Sequence, residues 1–248
     1  MTKLSAIVIA KNEEERIADC LDTLSFCDEI VVVDNGSTDR TADISKRMKA
    51  EVIASSSSDF SHLRNLGLKK ATGDWALYVD ADERVSPALR DSIKYEVSSI
   101  KNQFSTYRVA RKNFYLGRNE WPTAEKMERL FKKDKLKGWI GQLHESPEVS
   151  GEVGEVEGFL LHYTHRNLAE MLKKTIEWSK TEALLRYNTG HPKMSWWRFP
   201  RVMISTFLDY YIKQGGYKVG TVGLIESMYQ SFSIFVTYAS LWEMQRRK

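Results

Sequence analysis

Trp75-Ala76-Leu77-Tyr78-Val79-Asp80-Ala81-Asp82 is the stretch on which the fold turns. A short apolar run, Trp75 to Val79, entered through Thr72-Gly73-Asp74, reads as a strand. It delivers Asp80, which with Asp82 flanks the small residue Ala81 and makes a compact set of hard oxygen donors. Such a set suits Mg2+ or Mn2+, and a magnesium shell is commonly shared with substrate phosphates. Asp-x-Asp alone is also what a solvated acidic turn looks like, so its weight comes from the preceding chain.

Upstream, Leu4 to Ala10 is an apolar strand, and Asn12 to Leu24 carries Ile17, Ala18, Leu21 and Leu24 at helical spacing. Glu29 to Val33 is a second strand ending in Asp34-Asn35-Gly36-Ser37-Thr38-Asp39. Thr41 to Met48 reads as a helix, Glu51 to Ala54 as a strand and Phe60 to Ala71 as a helix. This β-α-β-α-β order predicts parallel strands joined by right-handed crossovers. Ligands of open α/β sheets gather at the carboxyl ends of the strands, where Asn12, Asp34 and Asp80 all fall.

Downstream, Pro87 to about Ile100 reads as a helix and Thr106 to Ala110 as a strand, followed by a loop through Trp121-Pro122. Further strands are expected at Phe131 and at Trp139 to Leu143, before His144-Glu145. An acidic hairpin, Gly151 to Gly158, leads into a strand over Phe159 to Tyr163. Asn167 opens a helix, with Glu170 completing a capping box.

The 248 residues are enough for one large α/β domain with an appendage, and 42% hydrophobic with 28% charged residues is the balance of a folded chain. A formal net charge of +4 suits an anionic ligand or a membrane surface and is too weak to argue for nucleic acid. Cys20 and Cys27 fit neither a redox pair nor a zinc knuckle and read as packing residues of a reducing compartment. The first apolar run is too short for a signal peptide, and Ser227 to Trp242 is too short to span a bilayer. From about Ser195 the composition shifts: Trp196, Trp197, Phe199, Met203, Phe207, Tyr210 and Tyr211 accompany Arg198, Arg201 and Lys213. Aromatics with cations suit a membrane interface, and a helical hairpin on the catalytic domain or a dimer contact suits the same pattern equally.

Together, Ile7-Val8-Ile9-Ala10-Lys11-Asn12-Glu13, Asp34 to Asp39, Arg64-Asn65 with Gly67, Ala71 to Trp75 and Asp80-Ala81-Asp82-Glu83 form an ordered set of high specificity. In this set the chain resembles the inverting family 2 glycosyltransferases over roughly residues 4 to 165, nearest to the lipopolysaccharide-core β-glucosyltransferases. The resemblance implies the GT-A nucleotide-diphospho-sugar transferase fold, a Rossmann-like mixed sheet, with a helical C-terminal extension. It implies a catalytic domain over 1–166, with a donor half to about 83 and an acceptor half beyond, and a helical aromatic and basic region over 167–248. Ala10, Asn12, Glu13, Asp34, Arg64, Asp80, Ala81 and Asp82 then surround the nucleotide sugar. Asp82, Asp80 and His162 are the metal set for Mg2+ or Mn2+. Asp34 would hold uracil or ribose and equally suits an Asx turn into Gly36.

Inverting transfer needs a base at the acceptor hydroxyl. Glu145 is chosen because it follows an apolar, aromatic segment, whereas Asp134 and Glu148 sit in hydrophilic stretches; relatives more often carry a Glu-Asp pair here. Arg108, Arg111 and Arg129 suit a donor phosphate or an anionic acceptor and equally suit solvated surface charge, and Trp121 suits stacking on a sugar or filling space. The implied reaction is transfer of a hexose, glucose from UDP-glucose, to a membrane glycolipid such as the lipopolysaccharide inner core, at the inner face of the cytoplasmic membrane. Transfer to polyprenyl phosphate is the nearest alternative. A sugar-1-phosphate nucleotidyltransferase is disfavoured, because Ala10-Lys11-Asn12-Glu13-Glu14-Glu15 is acidic and lacks the glycines that grip a triphosphate.

Overall fold

The computed structural model describes residues 2–99, 103–141 and 145–246. The chain divides into two units, one of residues 1–112 and 125–162, the other of 113–124 and 163–248. The second unit thus joins a short ribbon to the helical region expected from residue 167 onward.

The first unit begins as the apolar pattern dictates, with β1 (Leu4–Ala10), α1 (Ile17–Thr23), β2 (Glu29–Asn35), α2 (Thr41–Arg47), β3 (Glu51–Ser55), α3 (Phe60–Lys70) and β4 (Trp75–Asp80). β3, β2, β1 and β4 lie side by side and parallel. Both faces of these strands are covered. Leu77 and Val79 join Ala6, Val8, Ile17, Leu21 and Val32 on one side, while Ala76 and Tyr78 join Ile7, Phe131 and Trp139 on the other. Each fully buried aliphatic side chain contributes about 1.5–3 kcal/mol. Burial also pushes the Cys20 and Cys27 thiols well above their ordinary range, in keeping with packing roles.

The helix expected from Asn12 starts only at Ile17, because Asn12 adopts φ +55° and breaks the chain out of β1. Beyond β4 come β5 (Glu83–Val85), α4 (Pro87–Ser98), β6 (Thr106–Tyr115), β7 (Asn119–Glu120), β8 (Glu125–Lys132), β9 (Leu136–Ile140), β10 (Ser146–Val149) and β11 (Val153–Tyr163). The sheet continues in the order β4-β8-β6-β11-β5, with β4–β8, β8–β6 and β11–β5 antiparallel, so it is mixed. Two expectations change here. The strand from Thr106 runs on to Tyr115, and most of the acidic segment 151–158 is itself strand, because pairing supplies the backbone partners that a hairpin loop would have lacked. β9 ends at Ile140; Gln142 and Leu143 of the expected strand, and His144 after it, lie outside the described residues.

Gly158 shows why this edge tolerates no side chain. Its φ is +93°, and a Cβ there would meet the Leu89 backbone nitrogen at 2.2 Å, at the first turn of α4. That turn is capped by Ser86, whose hydroxyl accepts from the Leu89 N–H. Gly158→Ala is therefore expected to lower stability by about 2 kcal/mol or more in urea unfolding. An unchanged midpoint would show that the strand can move off the helix at no cost.

The second unit contains α5 (Leu168–Asn188), α6 (Arg198–Leu208), a π-helical turn (Asp209–Lys213), a 3-10 turn (Gly216–Val219) and α7 (Thr221–Arg246). Asn167 caps α5 as expected, accepting from the Glu170 N–H at 2.9 Å. Trp121 is buried here with its Nε1 donating to Gln214 Oε1 at 3.0 Å, so it serves packing and is not displayed to a sugar. Among the described residues no helix is long and apolar enough to cross a membrane.

Candidate functional site

The parallel register brings three strand ends together. Ala10 pairs with Asp34 across β1 and β2, and Ile9 pairs with Asp80 across β1 and β4. Asn12 lies just past the same edge and binds the loop after β2: its N–H donates to Ser37 Oγ at 2.9 Å and its Oδ1 accepts from the Thr38 N–H at 2.8 Å. The Glu13 N–H donates to Thr41 Oγ1, and the Glu13 carboxylate lies 3.3 Å from Arg16. Asn12 and Glu13 thus hold two loops together as one wall. Ala10 and Ala81 are buried and small, which keeps the floor low.

Asp34 carries the clearest unmet demand. It is 7% exposed, and its Oδ2 accepts from the Ser37 N–H at 3.4 Å, closing the turn through Gly36 at φ +70°. Its Oδ1 is buried with no hydrogen-bond partner. A buried carboxylate oxygen without a donor is costly, so this atom is suited to receive an N–H or O–H from outside the protein.

Asp80 and Asp82 face different neighbours. Asp80 sits between two guanidiniums, with Oδ2 2.8 Å from Arg129 and Oδ1 3.3 Å from Arg64. Burial alone would raise its carboxyl; Arg129 and Arg64 outweigh that and hold it well below the usual carboxylate range. Asp82, two residues on, reaches a different strand: its Oδ2 lies 3.3 Å from His162 Nε2 and 3.7 Å from Arg16.

The oxygen and nitrogen of Asp82 and His162 are spaced much like adjacent ligands of an octahedral ion, which at ~2.1 Å bonds lie about 3 Å apart. Their chemistry fits Mg2+ or Mn2+. Among the described residues there is no group of three or more such side chains, so phosphate and water oxygens would have to complete the shell. Asp80 is taken up by arginines and stands beside this pair, not in it.

Glu145 reaches back to α3, where Arg64 Nε donates to its Oε1 at 2.8 Å. Arg64 is placed by packing. Gly67, one turn later, approaches β1 so closely that a Cβ would sit 2.3 Å from Ile7 Cγ2, and the Arg64 guanidinium lies 4.8 Å from the Trp139 ring. One arginine therefore joins Asp80 to Glu145. The competing carboxylates Asp134 and Glu148 are exposed.

Two residues acquire weight that their sequence context does not show. Glu83 is fully buried; its Oε2 accepts from the Asp80 N–H at 2.9 Å, and its Oε1 lies 3.3 Å from Arg111 and 3.4 Å from Arg129. Arg16 approaches both Glu13 and Asp82. Arg129 and Arg111, expected to face phosphate or acceptor, are engaged by carboxylates, and Arg108 pairs with Glu128. The local signal was Glu83 following directly on Asp80-Ala81-Asp82, and it falls on the inward face of β5.

Comparison with known proteins agrees with this geometry. A family model described as glycosyl transferase family 2 matches residues 5–144. The lipopolysaccharide core biosynthesis glycosyltransferase LpsC of Rhizobium meliloti is 28% identical over 258 residues, covering 99% of this chain and 94% of that protein. An uncharacterized glycosyltransferase of Rickettsia typhi is 27% identical over 98% of this chain and 88% of its own length. The mannosyltransferase PcManGT from Pyrobaculum calidifontis, solved in complex with GDP-Man and Mn2+, is similar in fold, with a TM-score of 0.57 at 14% identity over 98% of this chain and 88% of that one. The α/β GT-A fold with a helical C-terminal region is thereby borne out, and the chain belongs to glycosyl transferase family 2.

Proposed function

We propose that this chain is an inverting, metal-dependent hexosyltransferase that moves glucose from UDP-glucose to a membrane glycolipid of the lipopolysaccharide inner core. The observation that carries the reading is the meeting of Asp82 and His162 at the strand edge where Asp34 leaves a buried oxygen unpaired. The similarity to LpsC, named for lipopolysaccharide core biosynthesis, supports the acceptor class.

Asp34 Oδ1 accepts a hydrogen bond from the uracil or ribose, and the wall formed by Asn12 and Glu13 closes the nucleoside side. Asp82 and His162 would hold Mg2+ or Mn2+, which when bound supplies charge neutralisation for the departing diphosphate. Asp80, fixed between Arg64 and Arg129, sets the backbone that carries Asp82. Glu145 accepts the proton of the acceptor hydroxyl as that oxygen bonds to the anomeric carbon and the bond to the diphosphate breaks, giving inversion and free UDP. Arg64 aims the Glu145 carboxylate.

UDP release from UDP-glucose in the presence of the glycolipid acceptor and Mg2+ or Mn2+ tests this scheme. Glu145→Gln should lower kcat by about 10²–10⁴ while leaving UDP affinity near that of the wild type. Full turnover in the variant would remove Glu145 as the base. A screen of nucleotide sugars for thermal stabilisation tests the donor, and UDP-glucose should raise Tm most.

A further inference from the structure

α6 buries one apolar face and leaves further large apolar side chains exposed. Its inner face lies on α7: the Phe199 and Phe235 rings are 5.8 Å apart, Ser231 Oγ donates to the Met203 carbonyl at 2.8 Å, and Val202 is buried. The outer face presents Trp197, Arg201, Ile204 and Leu208, and the π-helical turn extends it to Ile212. These positions fall on one stripe at helical periodicity. Trp197 is 46%, Ile204 59% and Ile212 58% exposed. A helix lying against solvent ordinarily turns polar residues outward, and large apolar side chains exposed beside cations are the pattern of a helix lying at an interface.

The charges around the stripe select what covers it. The Arg198 and Arg201 guanidiniums lie 5.3 and 5.7 Å from the Trp197 ring. In the sequence Lys193 precedes them and Lys213 and Lys218 follow, and Asp209, paired to Lys213 at 3.3 Å, is the single acidic residue between positions 193 and 219. A two-fold contact with a second copy would set these cations against themselves. Anionic lipid headgroups would neutralise them, while the arginine and lysine stems lie along the apolar stripe and the tryptophan ring sits at headgroup depth. We infer that the outer face of α6 and the following π-helical turn docks on an anionic phospholipid surface, lying in the interface without crossing it. This goes beyond the transfer reaction, and its test requires neither donor nor acceptor.

The full chain is sedimented with vesicles of phosphatidylcholine, with and without phosphatidylglycerol. Wild type should bind the phosphatidylglycerol vesicles, weakly the neutral ones, and should be released by salt. Ile204→Ser/Leu208→Ser and Arg198→Ala/Arg201→Ala should each reduce the partition coefficient about tenfold. All four side chains are off the buried core, and thermal melts confirm folding of the variants. Undiminished binding by both double variants, or no binding by wild type, overturns the inference. A wild-type dimer in light scattering that Ile204→Ser/Leu208→Ser dissociates, with no vesicle binding, overturns it in favour of a second copy.

Discussion

Asp82→Asn is expected to cut kcat for glycosyl transfer by about 10²–10⁴ and to raise the concentration of Mg2+ or Mn2+ needed for half-maximal rate. The substitution keeps size and removes the charge on a carboxylate that lies 3.3 Å from His162. The loss should be in the metal-dependent step, so the fold should survive and UDP binding without metal should change little. His162→Ala should show the same metal dependence with a smaller fall in rate, because the carboxylate supplies the charge and the imidazole a neutral donor. Comparing metal titrations of the two variants separates a shared site from a merely packed pair. If Asp82→Asn titrates with metal as wild type does, the assignment of the site is wrong.

Arg129→Met is expected to cost about 3–5 kcal/mol of stability, a large share of the ~5–15 kcal/mol of a typical domain. Arg129 is 5% exposed and sits between Asp80 and the fully buried Glu83. Removing it leaves two carboxylates facing each other with Arg64 and Arg111 on the outer sides only. The pH dependence gives the prediction a sign. In the wild type the Asp80 carboxyl is depressed, so its contribution is present in full above the unfolded value of about 3.9 and is lost as pH falls through the lower folded value. In the variant, protonation relieves the repulsion. The stability gap between variant and wild type, measured by urea unfolding, should therefore narrow as pH is lowered from 7 toward the carboxylate range. A gap independent of pH would mean that Arg129 acts through packing alone.

The acid cluster and the candidate site are thus one construction seen from two sides. Arg64 and Arg129 hold Asp80, Glu83 holds the Asp80 amide, and the rigid turn so formed presents Asp82. Buried ion pairs are seldom a source of net stability against an apolar substitute, because desolvation offsets attraction. Their use here is positional: they fix the strand end that carries Asp82.

The sequence by itself determined the parallel half of the sheet and its functional edge. Each strand there is a short apolar run, each helix repeats at helical spacing, and chirality allows only one hand of crossover, so Asp34 and Asp80 had to arrive at the same end as Asn12. Only the tertiary structure decided which carboxylate meets which partner. Arg64 and Glu145 are 81 residues apart, and Arg129 and Asp80 are 49 apart. Arg129 meets Asp80 because β8 pairs antiparallel with β4, and Glu145 meets Arg64 because β9, in a separate two-stranded sheet with β10, is held to α3 by Asn65 and Trp139; no local pattern encodes either pairing. The same holds for Asp82 and His162: β5 pairs antiparallel with β11 so that Glu83 lies opposite His162, and the residue before Glu83 is thereby brought to the imidazole. Local chemistry could name the acidic triplet; long-range strand pairing divided its two aspartates between a structural cage and a candidate metal site.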